Sequence, residues 1–318
     1  MRQFEKEIKT GMDMYDISII IPVYNVEKYV SQCIDSVLQT ERLNIEIVYI
    51  DDHSTDTSGL IVQDYVDKYA NMKVIKNSVN LGLSAARNLG MDAAEGKYIF
   101  FLDSDDYLKP HALNILFELA EENTADVIYF DTEILCEKEY LWDKIKNYRT
   151  YHKYQYPGIW RGDELFRLMR KKNDLDTAVW RQFWRRKTLV DIGVNFFEGI
   201  YHEDNLFSIQ AMLLAERAMC LNQSMHVYRY REGSITSGQV TDKHFWSMCK
   251  VYSELLHFWM RHDFEKAVEE EFSNYMKFIV KRIVRYYKEL SQGSDFDFES
   301  GASDLDKHMA KILTGRLF

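Results

Sequence analysis

The side chains in this chain best placed to do chemistry are three carboxylates, Asp103, Asp105 and Asp106, set directly behind the apolar run Tyr98-Ile-Phe-Phe-Leu102. A short continuous apolar run after Gly96-Lys97 reads as a strand buried on both faces, as in a parallel sheet. Carboxylates at the carboxyl end of such a strand stand where open α/β sheets bind ligands. Asp103 and Asp105 are two apart, so a continuing strand would put them on one face. Like charges held that close need a cation or a cluster of donors to neutralise them. An oxygen-only site of paired carboxylates suits Mg²⁺ or Mn²⁺, with water and substrate phosphate filling the remaining positions. The same residues also fit an ordinary solvated strand end leading into a helix.

The elements that must position these groups are legible around them. Ile17 to Asn25 is a β-branched run ending at Pro22, a first buried strand and its exit loop. Val26 to Thr40 carries apolar residues at i, i+3, i+4 spacing, the pattern of an amphipathic helix. Ile45–Ile50 is a second strand, Leu60–Tyr69 a second helix and Met72–Ile75 a third strand. Asn80 to Gly90 is a glycine-bearing loop entering a third helix; Pro110 starts another, and Asp126–Thr132 is a further strand. This alternation predicts a mostly parallel α/β sheet flanked by helices.

Three strand ends then carry Pro22 and Tyr24, Asp51 and Asp52, and Asp103 and Asp105. Parallel strands bring such ends to one edge. There a base or sugar ring can stack on Tyr24, and Asp52 can accept from a ring N–H or a ribose hydroxyl. Arg87 can reach a phosphate, and a metal at Asp105 can bridge the phosphates. Singly each residue has an ordinary structural explanation; jointly they point to a nucleoside diphosphate.

The ordered segments Ile19-Ile-Ile-Pro-Val-Tyr-Asn25, Ile50-Asp-Asp-His-Ser-Thr-Asp56, Asn80-Leu-Gly-Leu-Ser-Ala-Ala-Arg-Asn88 and Phe101-Leu-Asp-Ser-Asp-Asp106 resemble the family 2 inverting glycosyltransferases. The resemblance covers roughly residues 17–136. It implies a GT-A-type, Rossmann-like nucleotide-diphospho-sugar transferase fold with a metal-binding Asp-x-Asp motif at Asp103-Ser-Asp105. By that likeness Pro22, Tyr24 and Asp52 hold the nucleoside and Arg87 approaches the diphosphate. Asp103 and Ser104 line the donor site, and Asp105 with Asp103 ligates Mn²⁺ or Mg²⁺. His53 departs from the pattern, since the family usually has Gly or Asn there, and it alters the turn.

In the second half, Glu137 to Tyr156 is rich in charge and aromatics, including Tyr148, Tyr151, Tyr154 and Tyr156. These can stack on an acceptor sugar or simply pack. Gly162 to Met169 reads as a short helix. Glu203 and Asp204 open an apolar periodic helix over Leu206–Leu214, and a helix N-terminus favours the carboxylate form of a base, as it also favours an ordinary cap. The segment over about residues 178–236 is similar, more loosely, to the acceptor half of the same family. That likeness makes Asp204 the catalytic base and Glu203 the neighbour that orients acceptor or base. Arg229 or Arg231 is a further candidate for the diphosphate.

Residues 241–290 read as helical, and Phe272–Leu290 is a basic amphipathic helix. It suits either packing on the enzyme or a second subunit, or an anionic membrane surface. Residues 291–304 read as a linker before a short final helix. The chain divides into an N-terminal extension, 1–16, and a nucleotide-sugar-binding half, 17–136. An acceptor-binding half of the same catalytic domain, 137–240, and a helical C-terminal region, 241–318, follow.

The totals bound these readings. The chain has 318 residues, 46% hydrophobic and 14% aromatic, enough for a sizeable core. Its net charge of −10 argues against nucleic acid as a partner. Cys33, Cys136, Cys220 and Cys249 lie far apart, which supports neither a zinc site nor a disulfide framework. No secretory signal is evident in the first residues, and no apolar run approaches the length of a bilayer span. The expected setting is cytoplasmic, with peripheral contact at the inner face of the membrane and a homo-oligomer both open. The expected function is inverting transfer from a nucleotide-sugar donor, with UDP the family's commonest carrier, to a hydroxyl of a saccharide or lipid-linked saccharide acceptor in cell-surface polysaccharide synthesis. The alternatives are a non-catalytic nucleotide-sugar-binding subunit and, last, a nucleotidyltransferase.

Overall fold

The computed structural model describes residues 14–146, 148–233 and 239–291. The first half follows the predicted alternation: β1 (Tyr15–Val23), α1 (Val30–Leu38), β2 (Ile45–Asp51), α2 (Ser58–Val66), β3 (Met72–Lys76), α3 (Leu83–Ala93) and β4 (Gly96–Phe101). β1 pairs in parallel with both β2 and β4, and β2 with β3. The chain therefore builds outward on one side of β1 and then crosses to the other. That places a topological switch point between β1 and β4, where open α/β sheets have their ligand crevice.

Both faces of these strands are buried, as the continuous apolar runs require. Ile17, Ile19 and Ile21 pack with Val30, Cys33 and Ile34 of α1, while Ile20, Val48 and Ile50 pack with Ala86 of α3. α3 can lie this close because position 90 is glycine. A Cβ there would come within 2.3 Å of Ile20 Cγ2.

The second half begins with β5 (Tyr107–Leu108), α4 (Ala112–Glu122) and β6 (Val127–Cys136). It continues through α5 (Trp142–Ile145), α6 (Gly162–Lys171), β7 (Gln182–Arg185), α7 (Arg186–Ile192), α8 (Glu203–Leu214) and β8 (Ala218–Tyr230). All strands join one sheet in the order β3-β2-β1-β4-β7-β6-β8-β5. β7 is antiparallel to β4 and β6, and β5 to β8, so the parallel first half grades into a mixed sheet. β7 is four residues long and flanked by arginines, which hides it from a pattern reading. Phe183 fixes it by stacking on Tyr98, with ring centroids 4.9 Å apart.

Two helices complete the described chain, α9 (Asp242–Trp259) and α10 (Lys266–Ser291). The apolar face of α10, with Phe272, Tyr275, Ile279, Ile283 and Tyr286, is buried. It packs on α9 and α6, and Trp259 stacks on Phe272 at 3.9 Å. The amphipathic stripe is therefore already covered by protein. No helix among the described residues is long and apolar enough to cross a membrane. The expected linker and final helix beyond Ser291, like the first thirteen residues of the N-terminal extension, lie outside the described residues.

Candidate active site

The parallel register delivers the three strand ends to one edge. Val23 lies beside Asp51, and the Asp52 N–H donates to Val23 O at 2.9 Å. Leu102 N–H donates to Ile20 O, so Asp103 emerges next to the same crevice. Pro22 is buried in β1 and Tyr24 is 49% exposed, an aromatic face open to a ring.

Asp52 is buried, with Oδ1 accepting from Leu81 N–H and Asn77 Nδ2, each at 2.8 Å, and Oδ2 from Gly82 N–H at 2.7 Å. A carboxylate accepts about four hydrogen bonds, so one position at Oδ2 stays available. Asp52 thus shapes the loop before α3. His53 adopts φ +66°, the left-handed conformation that Gly or Asn takes readily. The turn is therefore kept despite the departure at this position. Asn25 Oδ1 accepts from Thr55 N–H at 2.8 Å and locks that turn against the loop after β1.

β4 stops at Phe101, so the three carboxylates behind it diverge instead of sharing a strand face. Asp103 Oδ1 accepts from Arg87 Nη2 at 2.9 Å, and Asp105 Oδ2 from Arg231 Nε at 2.8 Å. Asp106 turns inward. Its Oδ1 accepts from Arg229 N–H at 2.7 Å, and its Oδ2 lies 3.1 Å from His226 Nε2. Burial, then the charges of Asp105 and Asp103, pushes the Asp106 carboxyl well above its usual range. Burial likewise pushes His226 down to about 3. The two form a neutral pair under the loop, with His226 stacked on Trp180 at 4.7 Å. Ser104 is buried between the diverging carboxylates.

Arg229 is anchored to the protein, its Nε donating to Asp105 O at 2.8 Å and its Nη2 to Gln32 at 2.6 Å. Arg231 is the candidate that engages the carboxylate cluster itself. Serine, isoleucine and threonine at 234–236, next to it in the motif, lie outside the described residues.

Arg87 connects the two halves. It is 2% exposed; its Nη1 donates to Glu203 at 2.7 Å while Nη2 holds Asp103. Burial works against its charge, but Asp103 and Glu203 outweigh that and raise its pKa. Asn88 beside it clamps Phe196, donating to Phe196 O and accepting from Phe196 N–H, both at 2.9 Å. Sequence reading singled out Arg87 and Glu203 separately and missed that they pair. Nothing local signals a contact between residues so far apart in the chain.

Glu203 and Asp204 open α8, as expected. The protonation state differs from expectation. Burial first, then the neighbouring Glu203 charge, pushes the Asp204 carboxyl up to about 7, with Arg87 only partly opposing. The helix terminus favours the anion by only about 0.3–1 kcal/mol near a surface, too little against removal from water. Of the four tyrosines singled out in the 137–156 stretch, Tyr156 is core, 2% exposed, with its hydroxyl on Asp174. Tyr151 and Tyr154 face solvent. Tyr148 lies against Tyr228, which stacks on Trp180 at 5.3 Å, and so builds a ring wall.

Among the described residues no three His, Cys, Asp or Glu side chains already converge on a metal position. The donor set nevertheless fits a hard divalent ion. Asp103 and Asp105 each keep one carboxylate oxygen outside their arginine contact. Burial raises the Asp105 pKa and the Asp103 charge adds to it, against Arg231, so the cluster is short of positive charge.

A buried basic side chain thus joins the carboxyl edge of an α/β sheet to an acidic pair at the start of a later helix. The chain belongs to glycosyl transferase family 2, whose family model matches residues 18–191, more than half its length. It is 31% identical over 268 residues to the uncharacterised glycosyltransferase EpsJ of Bacillus subtilis (strain 168), covering 82% of this chain and 74% of that one. Its fold is similar to the crystal structure of S. aureus TarS 1–349 in complex with UDP-GlcNAc, with TM-score 0.66 and 22% identity over 95% of this chain and 80% of that one. It is also similar to the mannosyltransferase PcManGT of Pyrobaculum calidifontis in complex with GDP-Man and Mn²⁺, with TM-score 0.60 and 12% identity over 96% and 81% of the two chains. At these identities the two structures speak for the fold.

Proposed function

We propose that the chain is an inverting glycosyltransferase that moves a sugar from a nucleotide-diphospho-sugar, UDP-linked as in the TarS complex, to an acceptor hydroxyl of a saccharide or lipid-linked saccharide. The reading assigns it to cell-surface polysaccharide synthesis. The observation that carries this is the Arg87 link, which couples Asp103 at the nucleotide edge to Glu203, next to Asp204.

In this reading Tyr24 and Asp52 hold the nucleoside, with Pro22 shaping the crevice. Asp105 with Asp103 would hold Mn²⁺ or Mg²⁺, which when bound offsets the negative charge of the departing diphosphate. Asp204 takes the proton of the acceptor hydroxyl as that oxygen attacks the anomeric carbon. The new C–O bond forms on the face opposite the breaking bond to phosphate, so the configuration inverts. Arg87 adds positive charge behind Asp103 and pairs with Glu203 beside the base.

Asp204→Asn tests the assignment: transfer should fall by about 10²–10⁴-fold while nucleotide-sugar affinity holds. Undiminished turnover would remove Asp204 as base. A protein that binds donor but neither hydrolyses nor transfers it would favour the non-catalytic subunit.

A further inference from the structure

Beside the proposed base, α10 touches the start of α8 at two points. Tyr286 Oη lies 3.1 Å from His202 Nε2, and Tyr275 Oη donates to Asn205 Oδ1 at 3.4 Å. Asp204 lies between those two tethered residues in the chain. On the same face of α10, between the two tyrosines, is Arg282, whose Nε donates to Tyr286 Oη at 3.1 Å. Its Nη groups have no hydrogen bond or ion pair among the described residues.

Two imidazoles, His202 and His244, stand beside this arginine. Arg282 donates to Tyr286 Oη, and that hydroxyl shares a hydrogen bond with His202 Nε2. His244 Nδ1 accepts from Thr241 N–H at 3.1 Å, so its proton sits on Nε2. Burial and then Arg282 hold both rings below their usual pKa and therefore neutral. Lys243 completes the group, with Nζ 4.3 Å from the Tyr201 ring centroid, which is 4.8 Å from that of His244.

These groups share one property: they are donors. Guanidinium and ammonium only donate, His244 presents its Nε2–H, and a neutral His202 carries one N–H of its own. A neutral sugar asks for donors and acceptors together, whereas a donor-only cluster bearing two positive charges selects an anion. In a chain of net charge −10 such a cluster at the mouth of the base is not a general surface property. We propose that Arg282, Lys243, His202 and His244 bind a phosphate or phosphodiester carried by the acceptor, close to the hydroxyl that Asp204 deprotonates. This rests on the reading of Asp204 as base.

The test uses the full chain with saturating UDP, so that phosphate is kept off the donor edge. Three probes are titrated: a soluble poly(glycerol phosphate) oligomer, zwitterionic vesicles bearing a polyprenyl diphosphate-sugar, and a neutral oligosaccharide of similar length. At least one phosphate probe should bind at least tenfold more tightly than the neutral one. Arg282→Gln should weaken that binding tenfold or more, Lys243→Gln several-fold, and Arg282→Lys should retain most of it. Preference for the oligomer or for the vesicles identifies a polymer or a lipid as the source. Equal binding by parent, R282Q and K243Q, or by neutral and phosphate probes, overturns the proposal. UDP-sugar hydrolysis in the same samples separates the two readings. Donor cleavage without phosphate binding removes only the anion site; Arg282-dependent phosphate binding without donor binding or cleavage removes only the transferase reading.

Discussion

A carboxyl held near pKa 7 is suited to proton transfer at neutral pH, because a general base works best when its pKa lies close to the operating pH. Asp204 reaches that value through burial and through Glu203. The transfer rate should rise with pH through about 7 as the base ionises, measured as kcat/KM with saturating donor; an acid limb confined below pH 5 would contradict it. The stability consequence runs the other way. The folded pKa lies above the ordinary 3.8, so the folded chain holds an extra proton between those values. Asp204's contribution is fully present below pH 4 and is lost as pH rises through about 7. Asp204→Asn should therefore gain in melting temperature over the parent at pH 8 more than at pH 5. His53 belongs at the same scale. Because its φ is +66°, His53→Val should cost about 1 kcal/mol or more in urea unfolding, while His53→Gly should not.

At the scale of elements, legibility followed range. The parallel strands of the first half were readable, because a buried parallel strand announces itself by a continuous apolar run. Elements defined by distant partners were not. β7 has four residues, and its antiparallel seat between β4 and β6 depends on Phe183 meeting Tyr98 across the sheet. The amphipathic pattern of α10 was visible, but the pattern alone does not say what covers the apolar face; α6 and α9 do. The divergence of Asp103, Asp105 and Asp106 was also hidden, since it follows from β4 ending at Phe101. The seat of α3 on β1 is testable. Gly90→Ala would force a Cβ to within 2.3 Å of Ile20 Cγ2, and the displacement should cost about 1–3 kcal/mol, read from denaturant midpoints.

For the molecule as a whole, the edge proposed for the donor is acidic where that proposal seats a diphosphate. Asp103 and Asp105 would repel it unless a divalent ion stands between them. Nucleotide-sugar affinity should therefore fall at least tenfold in excess EDTA and return with Mn²⁺ or Mg²⁺. The melting temperature should follow, since about 2.7 kcal/mol of stabilisation is available at a ligand concentration of 100 Kd. Equal affinity with and without chelator would take Asp105 out of that role. The single guanidinium of Arg87 has a last implication for inheritance. It pairs with two acids drawn from separate stretches of chain, Glu203 withdrawn from solvent with it and Asp103 a quarter exposed. Losing Arg87 or Glu203 breaks the one of these two pairs that is buried on both sides, at a cost of about 3–5 kcal/mol. Positions 87 and 203 are thus bound to a common fate, and a lasting change at one calls for a matching change at the other.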